Sequence, residues 1–163
     1  MTCTLILMRH AKSSWDDLTL SDHERPLNKR GRASASAMGK WLRKNGQVPD
    51  SCISSDSART RETFERLGFA IPVQFTPALY HAGPEAMISR LASATGETIL
   101  MIGHNPGIAE FAERLVPAPP AHDRFDDYPT CATAVIQFAT QGWNDIGWHT
   151  GQPIHFAIPR DVM

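Results

Sequence analysis

The stretch TLILMRHAKSSWDD, residues 4–17, sets the apolar run Leu5 to Met8 directly against an arginine and a histidine, with a lysine, serines and acids behind them. A continuous apolar run of this length reads as a strand buried on both faces. Such strands belong to sheets covered by helices on either side. Arg9 and His10 then stand at the strand's carboxyl end, two cationic or potentially cationic neighbours that repel each other unless an anion lies between them.

Short apolar runs recur along the chain. Cys52-Ile53 with its serines closes a second, followed by Ile71 to Phe75, Thr98 to Ile102, Ala134 to Phe138 and a last one around Ile154 to Ile158. Helical patterns fill the gaps: Asn28 to Asn45 with Gly46 as its stop, Ser57 to Leu67, Pro84 to Leu91, and Pro106 to Leu115 with proline in the first turn. Strands alternating with helices predict an α/β fold, with a mostly parallel central sheet between helical layers. Val116 to Tyr128 (VPAPPAHDRFDDY) is rich in proline and charge and is expected to be a surface loop.

With 163 residues, 42% of them hydrophobic, the chain suits one domain spanning 1–163. Sixteen Lys and Arg against 17 Asp and Glu leave a formal net charge of -1, so no general basic field points to nucleic acid or to an anionic membrane. The three cysteines, Cys3, Cys52 and Cys131, form no CxxC pair and fit a reducing compartment. The N-terminal apolar run is too short for a membrane span or a signal-peptide core, which makes the cytoplasm the expected location. Nothing in the pattern indicates an oligomeric state.

Ligands of parallel sheets sit outside the carboxyl ends of the strands. Three such ends carry unusual polar residues: Arg9-His10, Ser54-Ser55 leading to Arg59, and Gly103-His104-Asn105-Pro106. If the strands are neighbours, two histidines and at least two arginines share a pocket. Arginine forks and helix N-termini match phosphate oxygens, and a neutral imidazole can take up a phosphoryl group and pass it to water. Arg59 is preferred to Arg61, which lies two positions further along the helix and cannot share its face. His10 and His104 lack the Asp, Glu or Cys companions of a metal site, so no metal and no cofactor is expected.

At these residues the chain resembles the histidine phosphatase superfamily, which includes cofactor-dependent phosphoglycerate mutases. The family's Arg-His-Gly signature reads Arg9-His10-Ala11 here. RHAKSSW, RPLNKRGR (Arg25 to Arg32), SSDSARTRET (Ser54 to Thr63) and GHNP around His104 look like its short branch, the SixA-type phosphohistidine phosphatases. The resemblance implies a layered α/β/α, phosphoglycerate mutase-like fold. It also implies that His10 is the nucleophile, that Arg9 and Arg59 hold the phosphate, and that His104 is the second pocket histidine, meeting the transferring charge if protonated. Asp16 falls where many relatives have a phosphate-contacting asparagine. Because a carboxylate there would repel a dianion, Ser13 or a backbone group is expected to substitute. Arg25 is expected at the pocket rim, and Trp15 at its border. Ala11 requires a backbone conformation that tolerates a Cβ.

Many relatives place a proton-donating glutamate after the third strand. Here ALYHAGPE offers His81 near that place and Glu85 four residues later. A phosphohistidine substrate asks less of such a donor, because imidazole leaves more readily than an alkoxide. The resemblance therefore implies a phosphatase acting on a histidine-phosphorylated protein. The alternatives are a phosphatase for a small phosphate ester and a phosphate-recognition module without turnover.

Overall fold

The computed structural model describes residues 2–163. Six strands form one sheet: β1 (Cys3–Arg9), β2 (Ser51–Ser55), β3 (Val73–Thr76), β4 (Thr98–Gly103), β5 (Thr133–Phe138) and β6 (Gln152–Ala157), in the order β3-β2-β4-β1-β5-β6. Strands β3, β2, β4 and β1 run parallel, while β5 and β6 add an antiparallel edge. The mostly parallel sheet anticipated from the alternating pattern is thus present. The third and last strands differ from expectation by a shift of register. Val73–Thr76 starts after Pro72, and β6 begins at Gln152 and ends before Ile158.

The alternation of side chains along a strand divides the core in two. Leu5 and Leu7 face helices α3 (Pro84–Leu91) and α4 (Gly107–Leu115), and pack with Met87, Ile108 and Phe111. Ile6 and Met8 face α1 (Lys29–Lys44) and α2 (Ala58–Leu67), and pack with Met38, Leu42 and Leu67. A four-residue C-terminal helix, α5 (Pro159–Val162), rests on α1. The apolar run of β1 is continuous because both its faces are covered, and Leu5 to Met8 are fully buried. The three cysteines are free and buried, as small packing residues.

Local chemistry sets the helix ends near the site. Asn28 caps α1 through its side chain on the Gly31 amide at 2.7 Å. Ser57 caps α2, sharing a 2.8 Å hydrogen bond with the Thr60 hydroxyl. Pro106 is the residue before α4 rather than the first residue inside it, and its peptide bond with Asn105 is cis.

The segment Val116 to Tyr128 is the irregular, largely surface-lying loop its composition suggested, but it is anchored in the core. Phe125 and Tyr128 are core residues, at 2% and 0% exposure. The Tyr128 hydroxyl donates to the Leu7 carbonyl at 2.5 Å and accepts from the Ala134 amide at 3.1 Å, bridging β1 and β5. Proline and charge marked the exposed part of the segment, and two aromatic anchors fix the rest.

Candidate active site

Strands β2, β4 and β1 are neighbours, so their carboxyl ends meet, with Arg9 paired to Gly103 in register. The His10 backbone is fixed on both sides: its amide donates to the Gly103 carbonyl at 3.1 Å, and its carbonyl accepts from the Cys131 amide at 2.9 Å. Ala11 is buried and is not among the residues with positive φ, so its Cβ is accommodated without strain. Its amide donates to the Thr63 hydroxyl at 3.0 Å, and that hydroxyl donates in turn to the Arg59 carbonyl at 2.7 Å. The nucleophile candidate and the helix carrying Arg59 are therefore joined by two hydrogen bonds.

The His10 ring is 6% exposed, with Nδ1 2.7 Å from the Ala11 carbonyl. A carbonyl only accepts, so Nδ1 carries the proton and Nε2 keeps its lone pair. Burial, followed by the charges of His104, Arg9 and Arg59, lowers the His10 pKa to about 3, although the Ala11 carbonyl pulls the other way. At neutral pH this imidazole is neutral, with its Nε2 lone pair available, as a nucleophile's must be.

The second histidine lies with its ring centroid 5.1 Å from that of His10. Arg59 Nη2 donates to His104 Nδ1 at 3.3 Å, so the His104 proton sits on Nε2, which faces the Ser55 hydroxyl at 2.8 Å. Burial and then the Arg59 charge lower the His104 pKa to about 3. The condition attached to His104, that it be protonated to meet charge, is not fulfilled in the free protein. An arginine pointing at Nδ1 requires a neutral ring, and Ser55 is the partner that the sequence left without a role.

Three arginines close the pocket. Arg9 donates one hydrogen bond, to the Tyr128 carbonyl at 3.3 Å, and its pKa is lowered by burial and then by Arg59. Arg25, 8% exposed, donates to the Ser13 hydroxyl at 2.7 Å and lies 3.6 Å from the centre of the Trp15 ring. Arg59, 6% exposed, donates to the Asp22 carbonyl at 2.7 Å and to Asp22 Oδ2 at 3.1 Å. Among the described residues, the Nε–H groups of all three are buried without a partner. Each such group costs about 1–3 kcal/mol when left unpaired. Three arginines lining one cavity with His10 suit an anion.

The cleft has two adjoining parts. An inner cavity of about 340 Å³ is lined by Arg9, His10, Ser13, Trp15 and Arg25 among others, and an outer one of about 410 Å³ by Asp22, Tyr80, His81 and Glu110; Arg59, His104 and Asn105 line both. The structure therefore brings together Arg9, His10, Arg59, His104, Ser13, Arg25 and His81. In RPLNKRGR only Arg25 enters the cavity, while Lys29 and Arg30 lie on the exposed face of α1. Arg61 turns away, its Nε donating to the Asp56 carbonyl at 2.9 Å.

Two expected residues stand elsewhere. Asp16 is exposed and lines neither cavity, whereas Ser13 lines the one that holds His10. Glu85 is also exposed and pairs outward with Arg114 at 2.7 Å, which holds its carboxyl below the usual range and makes it a poor acid. The proton-donor assignment to Glu85 is corrected accordingly, since the start of α3 points it away from the pocket. The acid that reaches the arginines is Asp22, in a single 3-10 turn (Asp22–Glu24). Its carboxylate takes hydrogen bonds from Tyr80 at 2.5 Å, Arg25 at 3.0 Å and Arg59 at 3.1 Å, and these hold its pKa well below the carboxylate range. The signal for Asp22 was an acid three residues before Arg25. Tyr80 and Asn105 carried none, because their roles depend on tertiary placement. Among the described residues, no three His, Cys, Asp or Glu side chains gather as a metal site, and no helix is long and apolar enough to cross a membrane.

Comparison with known proteins agrees with this geometry. The profile of the histidine phosphatase superfamily (branch 1) matches residues 5–83. An uncharacterised chloroplastic protein of Arabidopsis thaliana is 35% identical over 156 residues, covering 86% of this chain and 69% of its own. A solved structure from Nakamurella multipartitia, a candidate SixA phosphohistidine phosphatase, superposes with TM-score 0.84 at 29% identity, over 98% of this chain and 97% of that one. A second candidate SixA, from Agrobacterium tumefaciens, gives TM-score 0.78 at 26% identity, over 96% and 98%. The six-stranded sheet between helical layers is the phosphoglycerate mutase-like fold.

Proposed function

The chain belongs to the histidine phosphatase superfamily, and on that premise we propose that it hydrolyses phosphohistidine on another protein through a covalent phosphoryl intermediate on His10. The observation that carries this reading is the His10 ring itself. Its Nδ1–H is committed to the Ala11 carbonyl, it is neutral by burial, and its Nε2 is free beneath converging arginines.

In the first step the Nε2 lone pair of His10 attacks phosphorus while the leaving group departs on the opposite side. Arg9 and Arg59 meet the charge on the equatorial oxygens, and Arg25, braced by Ser13 and Trp15, adds a third fork. His104 offers Nε2–H to the Ser55 hydroxyl in the free protein and can redirect that donor to a phosphoryl oxygen. In the second step water attacks the phosphorylated His10, releasing phosphate and restoring the Nδ1–H tautomer.

Leaving-group chemistry favours a phosphohistidine over a phosphate ester. Glu85 is turned outward, and Asp22 is held as an anion by Tyr80, Arg25 and Arg59, so neither carboxyl is poised to protonate an alkoxide. His81, exposed and tilted against Tyr80 with ring centroids 4.1 Å apart, and the exposed Glu110 across the same cavity are the side chains left to serve an ester. A phosphorylated imidazole that already carries a proton on its other nitrogen needs no donor.

The test is rapid-quench trapping with a radiolabelled phosphohistidine protein and, in parallel, simple phosphate esters. An acid-labile, base-stable label on His10, with faster turnover of the protein substrate, is the expected result. Preferential turnover of esters would remove the protein substrate, and binding without any label would favour a recognition module.

A further inference from the structure

Charge is sorted across the cleft. Arg9, Arg25 and Lys12 line the inner cavity with His10, whereas Asp22 and Glu110 line the outer one beside the rings of Tyr80 and His81. Arg59 and His104 line both and mark the boundary. In an in-line displacement the leaving atom departs opposite the nucleophile. A phosphoryl group held at Arg59 and attacked from the His10 side therefore directs its leaving group toward the two carboxylates and the aromatic rings.

Asp22 is poorly suited to donate a proton. Tyr80 and Arg59 bind one carboxylate oxygen, and Arg25 the other. A carboxylate fixed as an anion beside a leaving ring does something different: it stabilises a proton on that ring. We propose that Asp22 is a specificity-determining residue that keeps the substrate's phosphorylated imidazole ring protonated, so that the ring can leave as a neutral imidazole, and disfavours phosphate esters whose leaving group is anionic. This rests on the phosphoryl-transfer reading above and assigns the selection to one residue.

The step balances without a protein acid. The Nε2 lone pair of His10 forms the new P–N bond, and the substrate's P–N bond breaks with its electron pair staying on the ring nitrogen. The ring already carries a proton on its other nitrogen and departs neutral. The charged and titratable groups around Asp22 are Tyr80, Arg25 and Arg59 in direct contact, His81, His23 and His104 packed on the Tyr80 ring, and Glu110 lining the same cavity. Glu110 adds a second negative charge and is not bonded to the arginines, which makes it the useful control.

The experiment measures kcat/KM against pH for phosphoimidazole and for 3-phosphoglycerate, with the wild type, Asp22→Asn and Glu110→Gln. Asp22→Asn is expected to lower the ratio of phosphoimidazole to 3-phosphoglycerate activity roughly tenfold, the order of one partly screened charge at close range. It should also move the alkaline limb of the phosphoimidazole profile to lower pH by about one unit, the same energy read as a protonation. Glu110→Gln should shift both in the same direction by less. Equal losses on both substrates with an unmoved limb would reduce Asp22 to a tether for Arg25 and Arg59 and overturn the proposal. A wild type that turns over neither compound nor any phosphoprotein would instead overturn the phosphatase reading, and the proposal with it.

Discussion

A single ring sets the behaviour of the site. His10→Asn keeps a similar volume and removes the nucleophile, so kcat should fall at least about a thousandfold while phosphate still binds. Stopped turnover with retained phosphate affinity is the pattern to look for, and residual turnover near the wild-type rate would exclude the mechanism. Arg59→Ala should lower kcat and raise KM together, because the same fork touches the ground state and the transition state. The two histidines also tie stability to pH. Both have folded pKa values lowered from 6.5 to about 3, so between these values the unfolded chain binds more protons than the folded one. Stability is therefore fully present above about pH 6.5 and declines as pH falls toward about 3, by up to a few kcal/mol for the pair. Urea midpoints measured from pH 7 to pH 4 should show this slope, and the double variant His10→Asn, His104→Asn should flatten it.

At the scale of elements, the pocket depends on close approaches that composition does not reveal. Gly31 sits where a Cβ would come within 2.1 Å of the Lys12 carbonyl, so α1 lies directly against the turn that follows His10. Gly31→Ala should cost about 1–3 kcal/mol by forcing the two apart, and should raise KM as Ser13 and Arg25 shift. A lowered melting temperature with an unchanged KM would separate the packing from the site. Tyr128→Phe removes the hydroxyl that joins Leu7 to Ala134 and leaves a buried amide unpaired, for about 1–3 kcal/mol of stability in chemical denaturation. These contacts also explain what the sequence made legible. The strand ends with Arg9-His10, His104 and the α2 arginine could be read directly, because residue type and periodicity placed them at carboxyl ends of strands; that these ends are neighbours comes from the sheet order. Glu85 could not be placed, because one helix start decides whether a side chain enters a pocket or meets Arg114. Asp22 was hidden in a single turn whose direction is fixed by partners 3 to 58 residues away in sequence.

For the molecule as a whole, a net charge of -1 offers no long-range attraction for a dianion, so recognition resides in the arginine cluster. Inorganic phosphate at about a hundred times its dissociation constant should stabilise the folded state by about 2.7 kcal/mol. For a chain of this size the melting temperature should rise by several degrees, and the shift should vanish in Arg59→Ala. The order of the sheet carries one more consequence. The strand that leads into His10 precedes β4 and β5 in the chain, yet it is clasped between them. During synthesis the candidate nucleophile therefore stays unsupported until β5 has emerged. Contacts this distant in sequence form slowly, and any product truncated before β5 should be inert.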